Sequence, residues 1–283
     1  MYTISNDFLT VNVKEIGAEL TSIKYNDTEY LWNGDEKYWG RHAPVLFPMV
    51  GMLKDNKCII KGSEYSMKQH GFARDMKFDL FAKTKESITF MLQSNEETLK
   101  KYPFEFELYI KYELNVRAVK VTYEVVNSGN NAMFFSIGGH PAFNMFSDIT
   151  DYYIEFEKPE TQNKVFVENG LVKFTNEAFL TNENKIELNE HSFDDDAMIF
   201  KDLNSSKVWL KSKTTDKAVC MHIAGFPYLG IWSKKTGAPF VCLEPWFGIA
   251  DTVGHNGEFA KKEGIVELNI GEEFSASYVI EVM

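Results

Sequence analysis

Arginine is nearly absent: of the 30 basic residues in this 283-residue chain, only Arg41, Arg74 and Arg117 are arginine. A chain that uses lysine for generic surface charge reserves arginine for places that need a planar donor fork. Positive charge as a whole is in deficit, with a formal net charge of −11, which argues against nucleic acid or an anionic membrane as partner. Cysteine is scarce too. Cys58, Cys220 and Cys242 are an odd, widely spaced set without a CxxC pair, so no disulfide framework is expected and buried free thiols in a reducing compartment are. No apolar stretch reaches the length of a membrane span. The opening MYTISNDFLT has neither a basic nor an apolar signal region. The expectation is a soluble, cytoplasmic protein. There is no glycine-rich phosphate loop, no Gly-x-Ser-x-Gly elbow and no cysteine-nucleophile motif.

What is present is period-2 alternation. Phe104, Phe106, Leu108, Ile110, Tyr112 and Leu114 interleave with polar residues, and Val119, Val121, Tyr123 and Val125 repeat the pattern after a turn at Asn115–Arg117. Asn127–Asn131 is a further turn signal, and Phe274 to Val282 alternates again. Shorter stretches occur at Leu9–Val13, Tyr152–Phe156 and Val208–Leu210, while Glu96–Lys101 reads as one short helix stopped by Pro103. Many short strands separated by turns predict an all-β sandwich, and without a repeat or linker the whole of 1–283 reads as one domain.

One run departs from this pattern. Phe240–Leu243 is continuously apolar and ends in Glu244, followed by Pro245 and Trp246. Such a run reads as a strand buried on both faces, and a carboxylate at its end is costly unless something uses it. Pro245 has no amide hydrogen, so the ladder is expected to stop there. Trp246 sets an aromatic face beside the acid.

Three other segments carry candidate chemistry at strand edges, where turns can aim side chains into a pocket. Gln69 to Arg74 places His70 and Arg74 around Gly71; Gly138-Gly139-His140-Pro141 places a histidine after two glycines; Asp194 to Asp196 runs into an apolar strand. The glycines are read as allowing unusual backbone angles before His140. His42, His191, His222 and His255 read as structural, and Trp209, Trp232 and Phe247 as core. Metal ligands exist in His70, His140, His222 and Glu244, but none shows the local spacing of a zinc or facial-triad site, so neither metal nor cofactor is expected.

Taken in order, these segments resemble the aldose 1-epimerase (galactose mutarotase-like) family, most closely its LacX-like branch. The resemblance begins at Gly17–Ile23, passes Glu29–Trp32 and Trp39–Pro48, and continues through the segments above to Glu244. It implies a β-supersandwich holding a sugar on a concave face. It further implies Glu244 as general base and His140 as general acid, with His70, Arg41 and Asp196 binding sugar hydroxyls or the ring oxygen and Arg74 in support; Trp246, read from its place beside Glu244, is the candidate sugar platform. The implied partner is a free hexose such as galactose or glucose, and the state a monomer or homodimer.

Interconverting hexose anomers needs a proton removed from the anomeric hydroxyl while the ring oxygen gains one, so one base and one acid on either side of the ring suffice. Glu244 is expected ionised and His140 protonated at the start. Three alternatives stand beside this reading: a hexose-6-phosphate 1-epimerase, which needs cations for the phosphate; a non-catalytic carbohydrate-binding protein on the same scaffold; and a metal-dependent β-sandwich enzyme.

Overall fold

Alternation along the chain becomes sheet geometry directly. In the computed structural model, which describes residues 1–235 and 237–283, Phe106–Asn115 and Ala118–Asn127 form an antiparallel hairpin closed by Val116 and Arg117. Because side chains alternate across a strand, Phe106, Leu108, Ile110, Tyr112 and Leu114 all point to one buried face. In register, Leu108 faces Val125 on one side and Leu92 on the other. Each such fully buried apolar side chain is worth roughly 1.5–3 kcal/mol.

This hairpin is the centre of a nine-stranded antiparallel sheet in the order Leu171–Glu187, Tyr152–Glu168, Lys207–Ser212, Ala218–His222, Glu273–Val282, Ala118–Asn127, Phe106–Asn115, Ser87–Gln93, Asp79–Lys83. A second sheet runs Met198–Lys201, Tyr228–Trp232, Phe240–Phe247, Ile137–Gly139, Val45–Leu46. A four-stranded sheet is built from Tyr2–Ser5, Leu9–Val13, Leu20–Tyr25 and Thr28–Glu29. The first two sheets share one core: Val241 and Leu243 join Ile110, Val121 and Ile280 in a single apolar cluster. Phe247 also meets Phe274 edge-on, with ring centroids 4.9 Å apart. The expected all-β sandwich is the fold.

Three local expectations need revision. The helix is shorter than Glu96–Lys101: Glu96–Leu99, capped by the Asn95 side chain with Thr98 returning the bond. The strand at Tyr152–Phe156 runs on to Glu168 and pairs with Leu171–Glu187 in a long arm. The arm's outer part has no fully buried face, so it lacks the apolar alternation that marks a strand.

The third revision concerns the strand that opens the site. It does not stop at Glu244 but continues through Pro245 and Trp246 to Phe247, paired from Cys242 to Trp246 with Tyr228–Trp232. Leu243 donates its amide to Pro141. Residues i and i+2 direct their amides to the same neighbour, so the missing amide of Pro245 also falls on the side of Ile137–Asn144. There the neighbouring chain is itself broken into two short strands, Ile137–Gly139 and Ala142–Asn144. The proline therefore costs a bond only on the interrupted side, and the intact ladder on the other side carries the strand.

Candidate active site

That interruption positions the site. Gly138 pairs with Trp246 on one side of the break and Ala142 with Cys242 on the other. The register is the same on both sides, so His140 falls opposite Glu244. Cross-strand partners point to the same face. The two side chains accordingly meet, with His140 Nε2 3.2 Å from Glu244 Oε2. Both are buried, Glu244 to 1% exposure. On this strand Val241 and Leu243 face the main core, while Cys242, Glu244 and Trp246 face the other way.

The two glycines before His140 act through space rather than through unusual angles. Neither has a positive φ. A Cβ on Gly138 would lie 2.4 Å from the Trp246 ring, and one on Gly139 would lie 2.7 and 2.8 Å from the hydroxyls of Tyr278 and Tyr123. Only hydrogen fits at either position. The left-handed backbone is found instead at His70 (φ 67°) and Asp196 (φ 74°), a conformation uncommon outside glycine and one that clusters at functional sites.

A cavity of about 330 Å³ opens over the pair, within the range of small-molecule sites. His70, Arg74, His140, Asp196, Glu244 and Trp246 line it, so six of the seven residues singled out in the sequence converge. The seventh, Arg41, does not line it. Its guanidinium is paired with Asp75 at 2.8 Å, and it acts on the site only through its charge, which opposes protonation of His70 and His140. Asp196 is at the exposed rim.

The sequence reading missed two aromatic walls. Trp39 stacks on the His140 ring at 4.8 Å, and Trp232, expected in the core, meets it edge-on at 5.6 Å. Both line the cavity, as do Lys234 and, from the long arm, Val167, Gly170 and Val172. Trp39 lies within the Trp39–Pro48 segment, so a signal was available. Nothing local marks the arm, which reaches the site only through tertiary pairing.

His70 is clasped by one residue: its amide donates to Gly51 O at 2.8 Å, and Nδ1 accepts from the Gly51 amide at 3.1 Å. This fixes the neutral tautomer with hydrogen on Nε2, a donor available to a ligand. Burial, followed by the His140, Arg74 and Arg41 charges, holds its pKa well below the usual value. Arg74 donates Nη2 to Gln69 O at 2.7 Å, and burial brings its pKa down to about 10. Arg74 Nε, His140 Nδ1 and Trp246 Nε1 are buried here without a protein hydrogen bond, and Glu244 Oε2 has no neighbour but the His140 Nε2 contact at 3.2 Å. Buried polar groups are nearly always satisfied, so this cavity floor suits a polar ligand.

Burial pushes Glu244 well above the ordinary carboxylate range, with the Asp196 charge adding to it and Trp246 opposing. Burial also lowers His140 to about 3, with Arg74 and Arg41 contributing. The expectation of a simple ionised Glu244 and protonated His140 therefore needs restating. An imidazolium–carboxylate pair and an imidazole–carboxylic acid pair hold the same number of protons. Across the 3.2 Å contact, attraction favours the ionic form of the pair and burial the neutral one.

The family model for aldose 1-epimerases matches residues 1–267. The chain belongs to the aldose 1-epimerase family. The plasmid-encoded LacX protein of Lactococcus lactis subsp. lactis is 33% identical over 294 aligned residues, covering 99% of this chain and 98% of that protein. A galactose mutarotase related enzyme from Lactobacillus acidophilus superposes with a TM-score of 0.96 at 37% identity, covering 100% of this chain and 97% of that one. A galactose mutarotase-like protein from Lactobacillus casei gives 0.92 at 33% identity, with both chains fully covered. The aldose 1-epimerase family accounts for the architecture as well, since the sandwich is the galactose mutarotase-like fold of these neighbours.

Proposed function

We propose that this protein is a mutarotase that interconverts the α and β anomers of a free hexose such as galactose or glucose. The observation that carries the reading is the buried His140–Glu244 contact at the floor of a cavity whose polar atoms are unmatched. The anomeric hydroxyl and the ring oxygen are both bonded to C1. An acid and a base in contact with each other suit two oxygens on one carbon, better than groups set on opposite sides of the ring.

From the ionic form of the pair, Glu244 takes the anomeric proton while His140 gives its proton to the ring oxygen. The O–H electrons become the aldehyde C=O, and the C1–O bond electrons stay with the ring oxygen as it is protonated. The pair ends neutral, the form that burial favours, so the open-chain state is reached without creating net charge. Rotation about C1–C2 and reversal of both transfers returns the other anomer. His70 Nε2–H, Arg74 and Asp196 would hold hydroxyls, and the tryptophans would cover the sugar's apolar faces.

The cavity wall also carries two cations, Arg74 and Lys234, which favours a second reading: the same reaction on a hexose 6-phosphate. One experiment tests both. Freshly dissolved α-anomers of glucose, galactose and their 6-phosphates are followed by polarimetry or a coupled assay with and without the protein. Acceleration of the free sugars supports the first reading, and acceleration restricted to the phosphates replaces it with the second. No acceleration of any of them overturns both.

A further inference from the structure

We propose that His140, Cys242 and Glu244 form a three-ligand site for a thiophilic divalent cation such as zinc at the cavity floor, and that the cation shuts down the acid–base pair. The sequence showed no local metal spacing because His140 comes from the neighbouring strand segment. The fold completes the set. Cys242 and Glu244 are two residues apart on one strand and so share a face, and His140 stands opposite. One ligand atom from each of the three lies within 4.8 Å of the others, and the His140–Glu244 edge is already 3.2 Å. Around a tetrahedral zinc ion, ligand atoms about 2.0–2.3 Å from the metal stand roughly 3.3–3.8 Å apart. Small side-chain rotations close the triangle.

Charge and access favour the same site. A divalent cation bound by one thiolate, one carboxylate and one neutral imidazole is electrically neutral, which a buried site of this kind requires. Two protons leave on binding, one from the Cys242 thiol and one from the His140–Glu244 pair. Cys242 itself is fully buried and is not part of the cavity wall, while His140 and Glu244 are. The cation therefore enters from the cavity, with its fourth position open toward it, and withdraws both proton-transfer groups. Around it stand Arg74, His70 and Asp196, with Arg41 farther out.

The inhibitory half of this proposal rests on the mutarotase reading; the binding half does not, and the experiment separates them. Cobalt(II) serves as the probe, since a cobalt–thiolate bond gives a charge-transfer absorption independent of any activity. The expected result is one such site per chain in the wild type, lost in Cys242→Ala and Cys242→Ser and retained in Cys220→Ala. The Cys220 control matters because Cys220, His222 and Glu281 form the other cluster with metal-ligand spacing among the described residues. Absence of the band, its persistence in both Cys242 variants, or its loss in Cys220→Ala overturns the proposal. If a Cys242 variant fails to fold, the wild-type and Cys220→Ala spectra still decide between the two clusters. In the activity arm, micromolar free zinc should slow wild-type mutarotation at least tenfold. Cys242→Ala should remain active and need at least ~100-fold more zinc, since losing even an outer-shell partner of a ligand costs about 10–100-fold. Equal sensitivity of the two proteins overturns the inhibitory half.

Discussion

His140 and Glu244 are cross-strand partners in a ladder that is broken between them, with Nε2 3.2 Å from Oε2. The break frees the histidine from a regular strand, while the unchanged register still delivers it opposite the acid. Proton transfer by two such groups acts as a unit, which makes the energetics non-additive. Glu244→Gln removes the proposed base but keeps the shape, and His140→Asn removes the proposed acid. Each should lower kcat/KM by ~10²–10⁴-fold. The double variant should be little worse than either single one, while hexose binding measured by calorimetry survives in Glu244→Gln. Multiplicative losses in the double variant would show that the residues act separately.

The pair's one proton sets the pH dependence. An ordinary carboxylate at 4.5 and an ordinary imidazole at 6.5 would be correctly protonated only between those values, and activity would fall above pH 6.5. Here the acid limb is displaced down, with His140 at about 3, and the alkaline limb up, with Glu244 raised by burial. The reactive state, one proton on the pair, then persists across the gap. The expected profile of kcat/KM runs flat through pH 6.5 instead of turning down there. A tenfold fall per unit above pH 6.5 would falsify the one-proton description.

Much of this site was legible in the chain because its polar residues interrupt or border apolar runs. Glu244 interrupts an apolar run, and His140 and Asp196 sit where strands begin or end. Six of the seven residues singled out do line one cavity. What failed to show was whatever depends on distant pairing. Arg41 is equally rare and equally well placed in sequence, yet Asp75 captures its guanidinium. Trp232 reads as core from its apolar neighbours, and its contact with His140 exists only because three strands lie side by side. The continuation of the strand past Pro245 was hidden for the same reason, since a proline is tolerated when the neighbour on its amide side is already interrupted.

The tryptophan walls lead to a prediction about positioning. Trp39 stacks on the His140 ring and Trp232 meets its edge, so together they fix the plane in which the imidazole faces Glu244. Trp39→Ala should lower kcat about 10–100-fold, the scale associated with misplacing a reacting group, and Trp39→Phe should restore most of it. A change in KM alone, with kcat intact, would assign Trp39 to sugar binding rather than to holding the histidine.

Beneath the cavity, Lys262 and Asp251 form an ion pair with both side chains fully buried and Nζ 3.4 Å from Oδ1. Asp251 also accepts from the Lys54 amide at 2.9 Å, and its backbone bonds to Met52 and Val172. Lys262 donates to Ile249 O, next to Ala250 in the cavity wall. Burial, partly offset by Asp251, brings the lysine pKa down to about 8. Breaking a buried pair strands the remaining charge, which costs more than the pair itself contributes. Lys262→Met should therefore destabilise the protein by about 3–5 kcal/mol in urea unfolding. Adding Asp251→Asn, which keeps an acceptor for Lys54 but removes the stranded charge, should recover a large part of that loss. If the double variant is as unstable as Lys262→Met alone, the lysine contributes by packing and its bond to Ile249, not by neutralising Asp251.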